Sequence, residues 1–220
     1  MPYRPTEKTK AHKAAQYSHL LSQAVKLVAQ QGFQGLTISK LARQADLATG
    51  SVYKYFDSKA QLCAEVFKSA TEREVEQVRL AALSDTSRPC RLRLIQAIQV
   101  FSERALESDR LAYALIAEPV DPTVEAQRLI YRQAYADIYA KLIAEGISNK
   151  EFPHQNVEIT ATALVGVIAE TLIAPLGRKM DGQLDNPDGT VDSMINKESQ
   201  AEILKDIQQF CLRAVTGMPC

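Results

Sequence analysis

The segment Thr49 to Phe56, TGSVYKYF, concentrates the groups that bind a polyanion. Thr49 and Ser51 offer hydroxyls to phosphates or base edges, and Tyr53 and Tyr55 offer phenolic donors. Lys54 adds a charge-assisted donor, and Gly50 lets the backbone approach a partner closely. Lys40 and Lys59 flank the segment with further charge. Val52 and Phe56 alternate with these polar groups and read as inward-facing. Phosphate oxygens accept from side chains of these types, and base edges in a groove are read by the same groups.

A second group of residues lies far along the chain. Tyr131, Tyr135 and Tyr139 recur at intervals of four, with Arg128 and Arg132 beside them. Phe101, Arg104 and Tyr113 fall on neighbouring segments. An aromatic stripe beside arginines can hold an anionic organic molecule, and the same stripe can be core packing with exposed hydroxyls. Glu170 and Thr171 interrupt an otherwise apolar helix, facing either a cavity or a subunit seam. The ligand-binding set is therefore Phe101, Arg104, Tyr113, Tyr131, Arg132, Tyr135 and Glu170.

The elements that must position these groups are helical throughout. Leu21, Ala24, Val25 and Val28 recur at helical spacing up to Gly32, a natural stop. Thr37 can cap a short helix to about Ala45, and a second short helix, 49–55, follows almost at once. The turn ADLA, Ala45 to Ala48, puts Asp46 where positive φ is needed, which Asp tolerates. Two short helices after a longer one is the helix-turn-helix arrangement, whose second helix enters the major groove. Ala48 precedes that helix without a capping hydroxyl, which leaves Thr49 as the candidate cap.

Asp57 and Ser58 open a longer helix from Lys59 carrying Leu62, Val66 and Ala70. Its later part, EREVEQVR, is mostly charged and reads as solvated. SDTSRP, Ser84 to Pro89, is a break, with Pro89 in the first turn of a helix that carries Leu92, Ile95 and Ile98. A short helix near Arg110 to Ala117 precedes the turn EPVDP. A long helix spans Pro122 to Glu145 and is closed by Gly146. The apolar helix 157–176 and a last helix, 198–215, with Ile203, Leu204, Ile207, Cys211 and Ala214 on one face, flank a loop from Gly177 to Thr190. The fold class is all-α: an N-terminal helix-turn-helix domain, 14–74, and a larger C-terminal helical bundle, 85–220.

Charge supports that division. The 220 residues carry 26 basic and 26 acidic side chains. Residues 1–59 hold nine bases against three acids, a net +6, so the remainder is −6. A basic head on an acidic body is the footprint of a nucleic-acid-binding protein. Hydrophobic residues make up 46% of the chain, enough for a core. No continuous apolar run reaches the 18 or so residues of a membrane span, so the reading is a cytoplasmic protein without a membrane partner. Cys63, Cys90, Cys211 and Cys220 are scattered and read as free thiols. No metal site, no cofactor and no catalytic constellation around His12, His19 or His154 is expected, so the chain does not read as an enzyme.

From Leu20 to Leu62 the sequence resembles the TetR family of bacterial transcriptional regulators. LLSQAVKLVAQQGF resembles the family's opening helix ending in Gly-aromatic. LTISKLARQADLATGSVYKYF resembles its Thr-capped helix, turn and recognition helix, and DSKAQL the Ser-Lys that opens the fourth helix. The chain departs from the family at Asp46, usually Gly, and at Ala48, often a small hydroxyl residue. The resemblance implies DNA contacts from Thr37, Thr49, Ser51, Tyr53, Lys54 and Lys59. It implies a body that senses a small molecule and a homodimer formed through helices 157–176 and 198–215. The whole would be a ligand-responsive repressor on a pseudo-palindromic double-stranded operator. The alternative is a helical protein-interaction module without specific DNA binding.

Overall fold

A computed structural model describes the backbone of residues 7–185 and 193–217 and the side chains of 7–178 and 199–217. Among the described residues there are nine helices and no strand. The head is α1 (Glu7–Gly35), α2 (Ile38–Gln44), α3 (Thr49–Val52) and the first half of α4 (Lys59–Leu83). The body is the rest of α4 with α5 (Cys90–Glu107), α6 (Asp109–Ile116), α7 (Pro122–Ser148), α8 (Val157–Asp185) and α9 (Ser193–Thr216).

Two apolar cores organise the chain. In the head, Leu20, Ala24, Leu27 and Val28 of α1 pack on Leu41, Val52, Phe56 and Val66. The buried stripe of α1 is turned from the expected one: Leu21 and Val25 are only half-buried. Burial of each such side chain contributes about 2 kcal/mol. This core is not closed by the head alone. Ala114 of α6 and Val124 of α7 are part of it, so the body supplies the floor on which the head rests.

The body core joins Leu94 and Ile98 of α5, Tyr139 and Leu142 of α7, and Leu172 of α8. Val78 is 1% exposed, so the charged stretch EREVEQVR is solvated only on its outer side. On α9 the buried line is Ile207, Cys211 and Val215, whereas Ala214 faces solvent and Ile203 and Leu204 are half-buried.

Three sequence expectations need correction. Gly146 does not close α7 but lies buried inside it. After Asn149 the chain turns through Lys150 at φ 62, and the amides of Glu151 and Phe152 both donate to the Gly146 carbonyl. That turn lays the Phe152 ring where a Cβ on residue 146 would sit, 2.2 Å from Cδ2. The loop expected from Gly177 is helical through Asp185, so α8 runs well past Leu176; the remainder of that segment falls partly outside the described residues. Finally, Val157–Arg178 is long and apolar enough to cross a membrane by length and composition. A continuous run of apolar residues misses this, because Glu158, Thr160 and Glu170 interrupt it without changing its average character.

Cys63, Cys90 and Cys211 are buried and unpaired with one another; Cys220 lies outside the described residues. Burial pushes the Cys211 thiol up to about 12 and raises Cys63 and Cys90 as well. Such thiols pack as small hydrophobes.

Candidate nucleic-acid interface

The head presents one polar edge, and local hydrogen bonds set its shape. Thr37 caps α2, its Oγ1 accepting from the Lys40 amide at 3.2 Å. α2 ends where the Ala45 amide donates to Leu41 and the Leu47 amide to Ala42, at 2.9 and 2.8 Å. Asp46 stands between them at φ 54, a conformation Asp tolerates because its short polar side chain bonds locally.

The recognition helix then begins without a side-chain cap. Ala48 occupies the cap position and Thr49 lies inside the first turn, exposed, so Thr49 does not replace the missing cap. The helix is one turn long and closes at Val52 instead of Tyr55. Beyond it the Lys54 amide donates to Ser51 and the Tyr55 amide to Val52, in the tighter three-residue pattern. Two anchors hold the segment against the head. Val52 and Phe56 are both fully buried, and the Phe56 ring lies 5.3 Å from that of Tyr17. The Tyr17 hydroxyl donates to Glu65 of α4, and burial pushes this phenol up to about 12.

With Val52 and Phe56 fixed inward, the residues between them turn out. Tyr53 is 52% exposed, and Lys54 is exposed with no ion pair among the described residues. Gly50 faces open space. Ser51 and Tyr55 are half-buried at the edge of the same surface. Lys59 is exposed in the first turn of α4, whose Ser58 cap accepts the Gln61 amide. Lys40 is held differently. Its ammonium donates to the Gly35 carbonyl at 3.1 Å and to Gln31 Oε1 at 2.5 Å, so it terminates α1.

A cavity opens in the body between α4, α5, α6, α7 and α8. Its volume is about 100 Å³, within about 910 Å³ of empty space that reaches solvent. Five of the seven residues singled out for a ligand line it: Phe101, Arg104, Tyr131, Arg132 and Tyr135. Phe101 meets Tyr135 edge to face at 5.2 Å. Arg104 is paired with Glu74 through two hydrogen bonds of 2.5 and 2.8 Å. Tyr131 donates to Glu72. Arg132 is exposed at the wall with no ion pair among the described residues. The other two stand elsewhere. Tyr113 packs against the body core, and Glu170 is exposed on the outer face of α8. Sequence reasoning missed the wall residues Phe67, Thr71 and Leu115, which carry no signal apart from apolar helical spacing.

A head of this geometry, with one short outward-facing helix seated on a helical body, defines a helix-turn-helix DNA-binding regulator. Residues 20–66 match the profile described as bacterial regulatory proteins, tetR family. The fatty acid metabolism regulator protein of Bacillus subtilis is 25% identical over 163 residues, 73% of this chain and 83% of that one. The fatty acid degradation regulator FadR of Bacillus halodurans superposes with a TM-score of 0.70 at 18% identity, over 90% of this chain and 94% of its own. FadR of Bacillus subtilis, solved with stearoyl-CoA, gives 0.69 at 18% identity, over 90% and 99%. Over residues 20–66 the chain carries a head like that of the TetR family of bacterial regulatory proteins. It is an all-α DNA-binding transcription regulator.

Proposed function

We propose that the protein is a cytoplasmic repressor that reads a pseudo-palindromic operator as a homodimer and leaves it when an anionic, apolar-bodied small molecule fills the body cavity. The observation that carries the DNA reading is the alternation in the recognition segment. Val52 and Phe56 are fully buried while Tyr53 between them is 52% exposed and Lys54 is exposed too. An exposed tyrosine and lysine on this edge, with Lys59 exposed beside them, favour a polyanion over a protein partner.

Contacts are assigned by group. Tyr53, Lys54 and Lys59 meet phosphates, and Thr49, Gly50, Ser51 and Tyr55 approach base edges or the sugar-phosphate backbone. Thr37 and Lys40 serve first to cap α2 and to end α1, and reach DNA as a secondary role.

For the homodimer, the support is an unfilled face. α8 leaves Ile159 68% exposed together with Ala163, Gly166 and Ala174 at helical spacing, and α9 leaves Phe210 57% exposed. Only a third of the apolar stretch of α8 is buried within one chain. Pairing α8 and α9 with their copies covers that face, and a twofold axis sets two heads on successive major-groove turns. Glu170 belongs to this seam.

For the effector, the support is the cavity. Phe101, Tyr135 and the aliphatic residues of α6 and α8 suit an apolar body, and Arg132 supplies an exposed cation with no carboxylate partner among the described residues. The B. subtilis relative in complex with stearoyl-CoA points to the same class, an anion carrying a long apolar tail. Stearoyl-CoA is the probe. It should bind the dimer and reduce its affinity for DNA taken from upstream of its own gene. Failure to bind leaves the cavity without this effector; sedimentation as a monomer at micromolar concentration removes the paired-head arrangement.

A further inference from the structure

The cavity and the head meet at a single carboxylate. α1 does not run smoothly to Gly35: at Gly32 the backbone turns to φ 70, ψ −179 and the helix breaks. A break frees amides that have no carbonyl one turn back. Two of them, on Phe33 and Gln34, donate to Glu118, at 2.9 Å to Oε2 and 3.0 Å to Oε1. Glu118 is 8% exposed and lies just past the end of α6. Its approach needs glycine at position 32, because a Cβ there would sit 2.6 Å from Oε2. Bonds from amides to a buried carboxylate are roughly twice as strong as neutral ones.

The backbone of Glu118 is held in turn from the cavity wall. Arg128 lines the cavity. Its Nη2 donates to the carbonyls of Glu118 at 2.9 Å and Ala114 at 3.3 Å, and its Nε to Leu115 at 2.9 Å. One guanidinium thus gathers the last carbonyls of α6, while Nη1 meets Glu125 at 2.5 Å. Phe67 reinforces the junction. It lies 6.0 Å under the Arg128 guanidinium and stacks 6.3 Å from Phe33.

We propose that Glu118 is the positioning residue that ties the head to the body, and that Arg128 is the group through which an anionic effector loosens that tie. This rests on reading the cavity as the effector site. A carboxylate or phosphate brought to the wall competes for Arg128 because it meets the guanidinium charge to charge and can do so bidentately, whereas the α6 carbonyls are neutral acceptors. The end of α6 then loses its clamp, Glu118 shifts with it, and the Phe33 and Gln34 amides lose their acceptor. α1 is free to tilt, and the recognition helix moves with it. A neutral molecule of the same shape fills the cavity without releasing DNA.

Two measurements on the full chain test this. The first needs no ligand: amide exchange at Phe33 and Gln34 by NMR. Arg128→Lys keeps the charge but cannot hold three carbonyls, and should speed exchange at both amides about ten-fold while Leu142 in the body core is unaffected. Wild-type rates in Arg128→Lys would overturn the relay. The second compares operator affinity with and without stearoyl-CoA. Glu118→Ala should bind the probe within about two-fold of wild type, yet lose the roughly ten-fold weakening of DNA binding that the probe causes in wild type. A full response in Glu118→Ala would overturn the proposal. If wild type itself does not bind stearoyl-CoA, the effector reading fails for that probe, and the exchange measurement alone decides the relay.

Discussion

The exposed lysines of the recognition edge and the packed arginines of the body are held in opposite ways. Lys54 and Lys59 stand exposed without an ion pair among the described residues. In the body, Arg104 is paired with Glu74, Arg128 is spread over three carbonyls and Glu125, and Arg93 is fully buried against Ala82, Cys90 and Glu145. Free lysines bind a polyanion by releasing its counterions, at little cost in reorganisation. Committed arginines respond only to a partner strong enough to take them from existing bonds. The head is therefore built for fast, salt-dependent association and the body for a threshold response.

The contrast can be broken most severely through packing. Phe152→Ala removes the ring that closes over Gly146, and should cost about 3–5 kcal/mol of stability in urea unfolding. As a body substitution it should leave the salt dependence of DNA binding by the folded fraction unchanged. A shifted salt slope would show that body packing and head charge are not separable.

Gly32→Ala acts at the junction. It forces a side chain into the left-handed region and against Glu118, and breaks two charge-assisted bonds, for a loss of roughly 3 kcal/mol. Chemical denaturation measures it, and a loss below about 1 kcal/mol would mean that Glu118 follows without strain.

Lys54→Ala should weaken operator binding about five- to ten-fold and flatten the slope of log affinity against log salt by about one, without altering stability. Loss of affinity at constant slope would assign Lys54 to a base edge.

The smallest effect is a gain. Ala48→Ser supplies the cap that α3 lacks and should add about 1 kcal/mol to stability. No gain in denaturant midpoint would mean that solvent already satisfies the exposed amides at that end of the helix.

What the sequence revealed follows the range of the interactions. Thr37, Asp46 and Ser58 were legible because each acts within about four residues of itself: two caps and one turn. Val52 and Phe56 were legible from their spacing. The length of the recognition helix was not, since a one-turn helix and the tighter turn after it have the same pattern of apolar residues. The aromatic residues suggested a cavity, but spacing could not separate Tyr135 of α7, which lines it, from Tyr113 of α6, which does not. Glu118 had no sequence signal at all. Its partners are 84 and 85 residues away, and only the broken turn at Gly32 makes them available.

The measurement that bears most directly on the central reading is a fluorescence-anisotropy titration of the protein with two labelled duplexes at physiological salt. One comes from upstream of its own gene and the other has the same composition in scrambled order. A sequence-reading head should bind the first about a thousand-fold more tightly or better. Equal affinity for both duplexes would contradict it and leave the exposed edge of Tyr53, Lys54 and Lys59 as a general polyanion surface.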